Sequence, residues 1–410
     1  MAISAELMST VSMAAVATWT VSSGAHRALS TQMLLKESGE ASAVIDEASA
    51  MLLPFISSAT LLFMYLLFNY VQHFLVAYMV VVSFGSASMT LHGLLDSWPR
   101  VQGLRGMPAL VAVLSAGLVG AWLLTSHWVP LDMLGVCMSV SVIALVRLPS
   151  LKVAAIVLCS LFVYDIFWVF FSARIFEDNV MVAVATRKAD NPAQQLAQAA
   201  GVAGADAIAH TLQLPIKLMF PAGVSASGAP VYHMLGLGDM VVPGLFLAFA
   251  LAFDVHLDDE HRRKDGHASG HISGQSPDSK GDEEAGEVTR GGGTVPILPA
   301  VGLVGGGVGG RNETRAAATP YFSGARKGYV AGLIVSMAAS QIFGAAQPAL
   351  LYLVPCVVAP LVFRARKRNH LGLLWRGFQT PEDDEEDSGE DTSQEASSKG
   401  VVRRGEGRGA

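Results

Sequence analysis

The chain has 410 residues, 51% of them in the set Ala, Val, Ile, Leu, Met, Phe, Trp, Tyr and Cys, and 15% charged, with a mean hydropathy of +0.43. An ordinary soluble domain carries about 25% charged residues, so this balance excludes a typical soluble enzyme and reads as a polytopic membrane protein with room for many spans of ~20 apolar residues. The net charge of −6 is concentrated in residues 254–290 and in PEDDEEDSGED at 381–391, so it describes loops and a tail and says little about partners.

In chain order, nine apolar stretches predict membrane helices at 5–23, 51–70, 73–95, 107–126, 128–146, 151–173, 232–253, 328–346 and 348–364. The fold class expected is an all-α polytopic membrane protein with nine transmembrane helices. The first stretch begins near Met1 without a basic region before it or a convincing cleavage site after it, and reads as a retained span. Basic residues mark alternate connections: Arg27 and Lys36 after the first span, Arg100 and Arg105 after the third, Arg147 and Lys152 after the fifth, and Arg262, Arg263, Lys264, Arg326 and Lys327 after the seventh. Arg364, Arg366, Lys367 and Arg368 follow the ninth, whereas the connections after spans two, four and eight have no Lys or Arg. By the positive-inside rule the N-terminus is lumenal and the C-terminus cytosolic. The connection after span six departs from the pattern, with Arg174, Arg187, Lys188 and Lys217. It is nearly as long as the length at which loop charge loses its influence, and is assigned to the lumen.

The organisation predicted is therefore a first transmembrane helix and cytosolic loop at 1–50, transmembrane helices two to six at 51–173, a lumenal loop at 174–231 and helix seven at 232–253. A Gly-rich, charged cytosolic loop that cannot bury a core follows at 254–325, then helices eight and nine at 326–366 and an acidic cytosolic tail at 367–410. Three cysteines, Cys137, Cys159 and Cys356, all lie in apolar runs and suggest no disulfide framework.

Two carboxylates sit within spans: Asp165 in LFVYDIFWVF and Asp239 in MLGLGDMVVPG. Ionisable residues at such depth cost several kcal/mol and are functional candidates by default. Asp165 lies 13 residues beyond Lys152, about 20 Å at 1.5 Å per residue, and Asp239 lies 15 residues before Asp254, about 22 Å from the same face. Two carboxylates that meet there tend to share a proton, the arrangement of an aspartic protease in which one takes a proton from water while the other polarises the scissile carbonyl. The sequence leaves open which does which. Gly236 and Gly238 bracket Leu237 just before Asp239 and permit close approach of another backbone. Pro348, Ala349 and Leu350 open span nine at matching depth, where a proline frees backbone groups that a substrate strand could use.

Other features carry less. Asp132 reads as the solvated start of span five, as Asp46 and Glu47 do before span two. His261, His267 and His271 lie in Gly/Ser-rich sequence without fixed geometry, so no metal is expected. Asn312-Glu313-Thr314 fits a glycosylation sequon, but the topology puts it in the cytosol.

At these residues the sequence resembles the GxGD intramembrane aspartyl proteases, the superfamily of presenilin and signal peptide peptidase. The family's three marks stand here as Tyr164-Asp165, Gly236-Leu237-Gly238-Asp239 and Pro348-Ala349-Leu350. QPALLYLVP at 347–355 and the lumenal N-terminus are more similar to signal peptide peptidases than to presenilins. LVRLPSLKV at 145–153, the run from Tyr164 to Thr186 and ADNP at 189–192 look most like signal peptide peptidase-like 3. The resemblance covers about residues 50–375; the long 254–325 segment and the acidic tail depart from it.

The resemblance implies a presenilin/signal peptide peptidase-like fold and an intramembrane endopeptidase. Asp165 and Asp239 would be catalytic, with Tyr164, Gly236, Leu237, Gly238, Pro348, Ala349 and Leu350 shaping the site, and no metal or organic cofactor. Expected substrates are single-span type II membrane proteins such as Golgi glycosyltransferases, or signal peptides. The partners expected are these and the lipid bilayer, with no nucleic acid and a homo-oligomer as one option for assembly. Golgi is favoured, among Golgi, endoplasmic reticulum and endosomal membranes. The alternative from another class is a proton- or ion-coupled transporter that uses the same aspartate pair as a relay.

Overall fold

The computed structural model describes residues 2–38, 43–96, 106–176, 179–201, 208–224, 228, 230–270, 319–344 and 347–378. Most of the 254–325 segment, the sequon and the acidic run lie outside the described residues.

The chain is mostly helical. Helix α1 (Ala2–Ser38) is followed by strand β1 (Ala43–Val44), then α2 (Glu47–Asp96), α3 (Met107–Thr125), α4 (Trp128–Leu145) and β2 (Val146–Arg147). A second long run comprises α5 (Leu151–Ile166), a π turn at Phe167–Phe171 and α6 (Ser172–Phe176). Among the described residues, five segments are long and apolar enough to cross a membrane: α2, α3, α4, Leu151–Phe176 and Gly238–Lys264. The last belongs to α9 (Gly238–Gly270), and α10 (Pro320–Phe343) and α11 (Leu350–Lys367) complete the bundle.

Small residues set the packing. Without a hydrophobic force between helices in lipid, close approach of backbones carries association. Buried Met13, Ala17, Val21, Ala25 and Ala28 line one face of α1, which packs against α4, α9 and α10. Helices α10 and α11 touch so closely that a Cβ at Gly328 would run into the Cys356 carbonyl oxygen, and one at Gly332 would lie 3.0 Å from the Leu353 Cα.

One end of the bundle is tied together by polar contacts. Strand β1 pairs in parallel with β2, and Lys152 Nζ meets Glu47 Oε1 at 2.7 Å. Asp254, near the end of the apolar part of α9, accepts the backbone N–H groups of Tyr321 at 3.2 Å and Phe322 at 2.8 Å and so caps the unpaired start of α10. The Tyr321 hydroxyl lies 2.9 Å from His370 Nδ1.

Several expectations change. The stretches 51–70 and 73–95 form one helix, α2, with no break between them. It cannot be straight: Glu47 to Thr90 would span about 65 Å, yet Thr90 Oγ1 reaches the Cys137 carbonyl at 3.4 Å, nine residues from Val146, whose partner Ala43 lies just before Glu47. The helix therefore bends back, and its halves run against different neighbours. The helical expectation holds in the main, but among the described residues three two-stranded sheets are added to it. The 174–231 "loop" is an ordered substructure: α7 (Val180–Thr186), β3 (Ala189–Asp190), α8 (Pro192–Ala199), β4 (Thr211–Leu212), β5 (Lys217–Val224) and β6 (Pro230–Gly236). It is anchored to α3 by Trp122 Nε1 donating to the Gln213 carbonyl at 2.8 Å and by Asn191 Nδ2 donating to the Leu123 carbonyl at 2.7 Å. Residues 232–236 are strand rather than the start of span seven; α9 begins at Gly238 and continues to Gly270, into the segment expected to be loop. Helix α10 begins at Pro320 rather than 326, and the start of the tail folds as α12 (Leu371–Arg376) against α5.

Candidate active site

Asp165 is positioned by a well-capped helix. The Ser150 hydroxyl accepts the Val153 N–H at 3.2 Å to start α5, and an apolar run carries the helix to Asp165, which is 3% exposed. Directly beyond it the backbone loosens into the π turn, an irregularity common at functional sites. Trp168 in that turn donates from Nε1 to Ser58 Oγ at 3.0 Å, and its ring lies 6.4 Å from that of half-buried Tyr164.

The Asp165 carboxylate is met by the start of α11. Its Oδ2 accepts the backbone N–H of Leu350 at 3.1 Å. Leu350 is the first residue of α11, so this N–H has no partner within the helix, and the positive end of the helix dipole faces the carboxylate. The turn before it is held by the Leu351 N–H on the Pro348 carbonyl at 3.2 Å and the Leu353 N–H on the Ala349 carbonyl at 3.1 Å. Pro348 is buried and Ala349 half-buried. A proline at this place costs no hydrogen bond, because the donor it lacks would be unpaired.

Asp239 sits at a strand-to-helix junction. Strands β5 and β6 form an antiparallel hairpin whose last pair is Lys217 with Gly236. The Leu237 N–H extends the pairing to the Ile216 carbonyl at 3.1 Å, and α9 starts at the next residue. A Cβ on Gly236 would lie 3.2 Å from Asp239 Oδ2, whereas one on Gly238 would meet nothing within 4 Å. Leu237 packs over Gly135 of α4, where a Cβ would lie 3.2 Å from its Cδ2. Half-buried Asp239, in the first turn of α9, lies within electrostatic range of Asp165, and α11 packs against both α5 and α9. The structure thus brings Leu350 to Asp165 and Gly236 to Asp239, with Tyr164, Leu237, Gly238, Pro348 and Ala349 beside them along the chain. Among the described residues, no three His, Cys, Asp or Glu side chains converge as metal ligands would.

Sequence reasoning missed the hairpin and Asp132. Asp132 is 7% exposed rather than solvated. Its Oδ1 accepts the Met219 N–H of β5 at 2.7 Å, while Oδ2 has no partner among the described residues. A signal existed: Pro221, Gly223, Gly228 and Pro230 in the stretch before the GLGD motif argue against helix and for two strands with a turn.

Residues 37–381 match the family model described as signal peptide peptidase. The chain belongs to the signal peptide peptidase family. It is an intramembrane aspartic protease, as that family's members are. The protein named signal peptide peptidase-like 1 of Arabidopsis thaliana is 35% identical over 369 residues, 83% of this chain and 84% of that one. Its namesake of Oryza sativa subsp. japonica is 34% identical over 362 residues, 82% and 84% of the two chains. The Arabidopsis protein named signal peptide peptidase-like 3 is 27% identical over 296 residues, 70% of this chain and 41% of that one. These relatives place the signal peptide peptidase-like 1 proteins ahead of that signal peptide peptidase-like 3 namesake.

Proposed function

We propose that Asp165 and Asp239 are the catalytic pair of this protease. The observation that carries the reading is the convergence of a buried carboxylate, a second carboxylate in electrostatic range and the Leu350 N–H on one point at the ends of three helices. One ionised carboxylate takes a proton from water as its oxygen attacks the scissile carbonyl carbon, and the protonated partner donates to the carbonyl oxygen. Return of a proton to the amide nitrogen then breaks the C–N bond. Both protons stay within the pair and the products, so the residues complete the cycle unaided.

The hairpin supplies a substrate track. A helical peptide bond is shielded by its own turn, so the substrate must unwind, and β6 offers a strand beside Asp239 on which an extended peptide can pair. Gly238, open on its Cβ side, leaves room for that backbone, while Gly236 and Leu237 set the junction and Tyr164, Pro348, Ala349 and Leu350 shape the opposite wall.

The substrates are single-span type II membrane proteins, such as Golgi glycosyltransferases, or signal peptides, cleaved within or next to the membrane segment. The protein crosses the membrane nine times, the two halves of α2 serving as separate spans, with a lumenal N-terminus and cytosolic C-terminus, and works in Golgi, endoplasmic reticulum or endosomal membranes. The test is co-expression of the parent, Asp165→Ala and Asp239→Ala with a type II reporter. Ectodomain release by the parent alone is expected; release by either variant, or none by the parent, overturns the reading. Proton flux without cleavage would point to a transporter.

A further inference from the structure

The buried stripe of α10 carries three hydroxyl groups in Tyr321, Tyr329 and Ser336, and the contacts above account for one of them. Tyr321 meets His370. Tyr329 is fully buried, and its hydroxyl has no partner among the described residues. Ser336 is 6% exposed. Thr10, Thr18 and Thr60 turn their hydroxyls back onto the carbonyl four residues earlier, but the Ser336 hydroxyl makes no hydrogen bond to a described residue. In hydrocarbon a hydroxyl without a partner is costly, and buried polar groups that the protein leaves unmatched are commonly met by ordered water.

The register of the helices puts these groups at and just below the reacting layer. The Phe322 N–H bond to Asp254 sets α9 and α10 level at one point. The two helices run in opposite directions from there. Fifteen residues back along α9 is Asp239, about 22 Å away, and fourteen forward along α10 is Ser336, about 21 Å away. Helix α11 gives the same height independently: Gly332 faces Leu353, which brings Leu350 opposite residue 335, next to Ser336. Tyr329 lies two turns from Ser336 on the same face, and the charge of Asp239 reaches its hydroxyl.

We propose that Ser336 and Tyr329 hold ordered water against Asp239 and so orient and resupply the water that is consumed in hydrolysis. They act as positioning residues, and the proposal rests on the assignment of Asp239 to the catalytic pair. Ser336, level with Asp239, would hold one water against the carboxylate, and Tyr329, seven residues or about 10 Å along the helix from Ser336, would hold a second that replaces it. Each turnover removes one water from a site enclosed in lipid, and two hydroxyls on one helix face provide fixed points for its replacement. Neither residue exchanges a proton with substrate.

The experiment uses the full-length protein in detergent micelles with a synthetic single-span peptide as substrate, comparing the parent with Ser336→Ala, Ser336→Thr, Tyr329→Phe and Asp239→Ala. Ser336→Ala and Tyr329→Phe are expected to lower kcat by about 10- to 100-fold, at or below the loss on removing one donor at a reacting centre. KM and melting temperature should stay near parental, and Ser336→Thr should restore most of the rate. Parental kcat in both variants, or a kcat that falls only with the amount of folded protein and is not rescued by threonine, overturns the proposal while leaving the catalytic pair intact. Cleavage by Asp239→Ala would overturn the pair itself.

Discussion

The backbone N–H of Leu350 donates to Oδ2 of Asp165 at 3.1 Å, joining residues 185 positions apart. This bond makes the start of α11 part of the site, and it separates the structural work of Asp165 from its chemical work. Asn keeps an acceptor for Leu350 but cannot exchange the proton, so Asp165→Asn should lose more than about 10³-fold in cleavage with little change in melting temperature. Asp165→Ala should lose the same activity and about 1.5–3 kcal/mol of stability as well. Thermal unfolding of the two detergent-solubilised variants, side by side, checks the split.

The two glycines before Asp239 should fail differently. A Cβ at Gly236 would press on the Asp239 carboxylate at 3.2 Å, so Gly236→Ala should lower kcat by about 10-fold, equivalent to ~1.4 kcal/mol in the barrier. A Cβ at Gly238 meets only open space, so Gly238→Ala should fold normally and raise KM by occupying the substrate track. Steady-state kinetics on a transmembrane peptide distinguish them, and the reverse pattern would refute the placement of the track.

Close approach of α10 to α11 predicts a stability defect. Gly328→Ala drives a methyl group into the Cys356 carbonyl, whereas the nearest atom to a Cβ at Gly324 is Pro360 Cβ at 3.6 Å. Gly328→Ala should cost about 1–3 kcal/mol or more through overpacking, with Gly324→Ala close to neutral. Melting temperatures of both variants test this.

Asp132 anchors β5 through Met219 and thereby the hairpin that ends at Gly236. Asp132→Ala should cost about 1–3 kcal/mol by leaving the Met219 N–H unpaired and should reduce cleavage although it removes no catalytic group. Asp132→Asn, which keeps the acceptor, should recover most of both. Equal loss in the two variants would indicate that the charge, and not the bond, is what counts.

His370 gives a pH dependence of stability. Burial first, and then Arg368, holds its imidazole below the ordinary value of 6.5, and the neutral ring alone can accept from the Tyr321 hydroxyl. The folded value lies below the unfolded one, so the unfolded chain takes up the proton first. Stability should fall as pH drops through 6.5 and level off below the folded value. His370→Asn should flatten that limb of a plot of melting temperature against pH, and an equally steep limb would assign it to other groups.

Much of the site was legible in the amino-acid sequence. Scarcity of charge exposed Asp165 and Asp239, because a carboxylate in an apolar run is costly enough to need a reason, and counting 1.5 Å per residue placed both at one depth. Pro348 and the glycines were visible as backbone exceptions. The strands at 217–224 and 230–236 were marked only by their prolines and glycines, because hydropathy along a short apolar run such as VYHML does not distinguish a strand from the first turn of a helix. The reversal within α2 was legible as the split between the stretches 51–70 and 73–95; what the sequence did not show is that the helix runs on through it without a break.

The sequence by itself determined that the protein spans a membrane, which residues could do chemistry there and at what height each would lie, since these follow from composition and from the fixed rise of a helix. Only the tertiary structure decided that Leu350 meets Asp165, that a hairpin delivers Asp239, that Asp132 is buried against that hairpin and that the Tyr329 hydroxyl is buried without a partner among the described residues. Each of those depends on pairings between segments tens to hundreds of residues apart, and local periodicity carries no record of which distant segment will supply the partner.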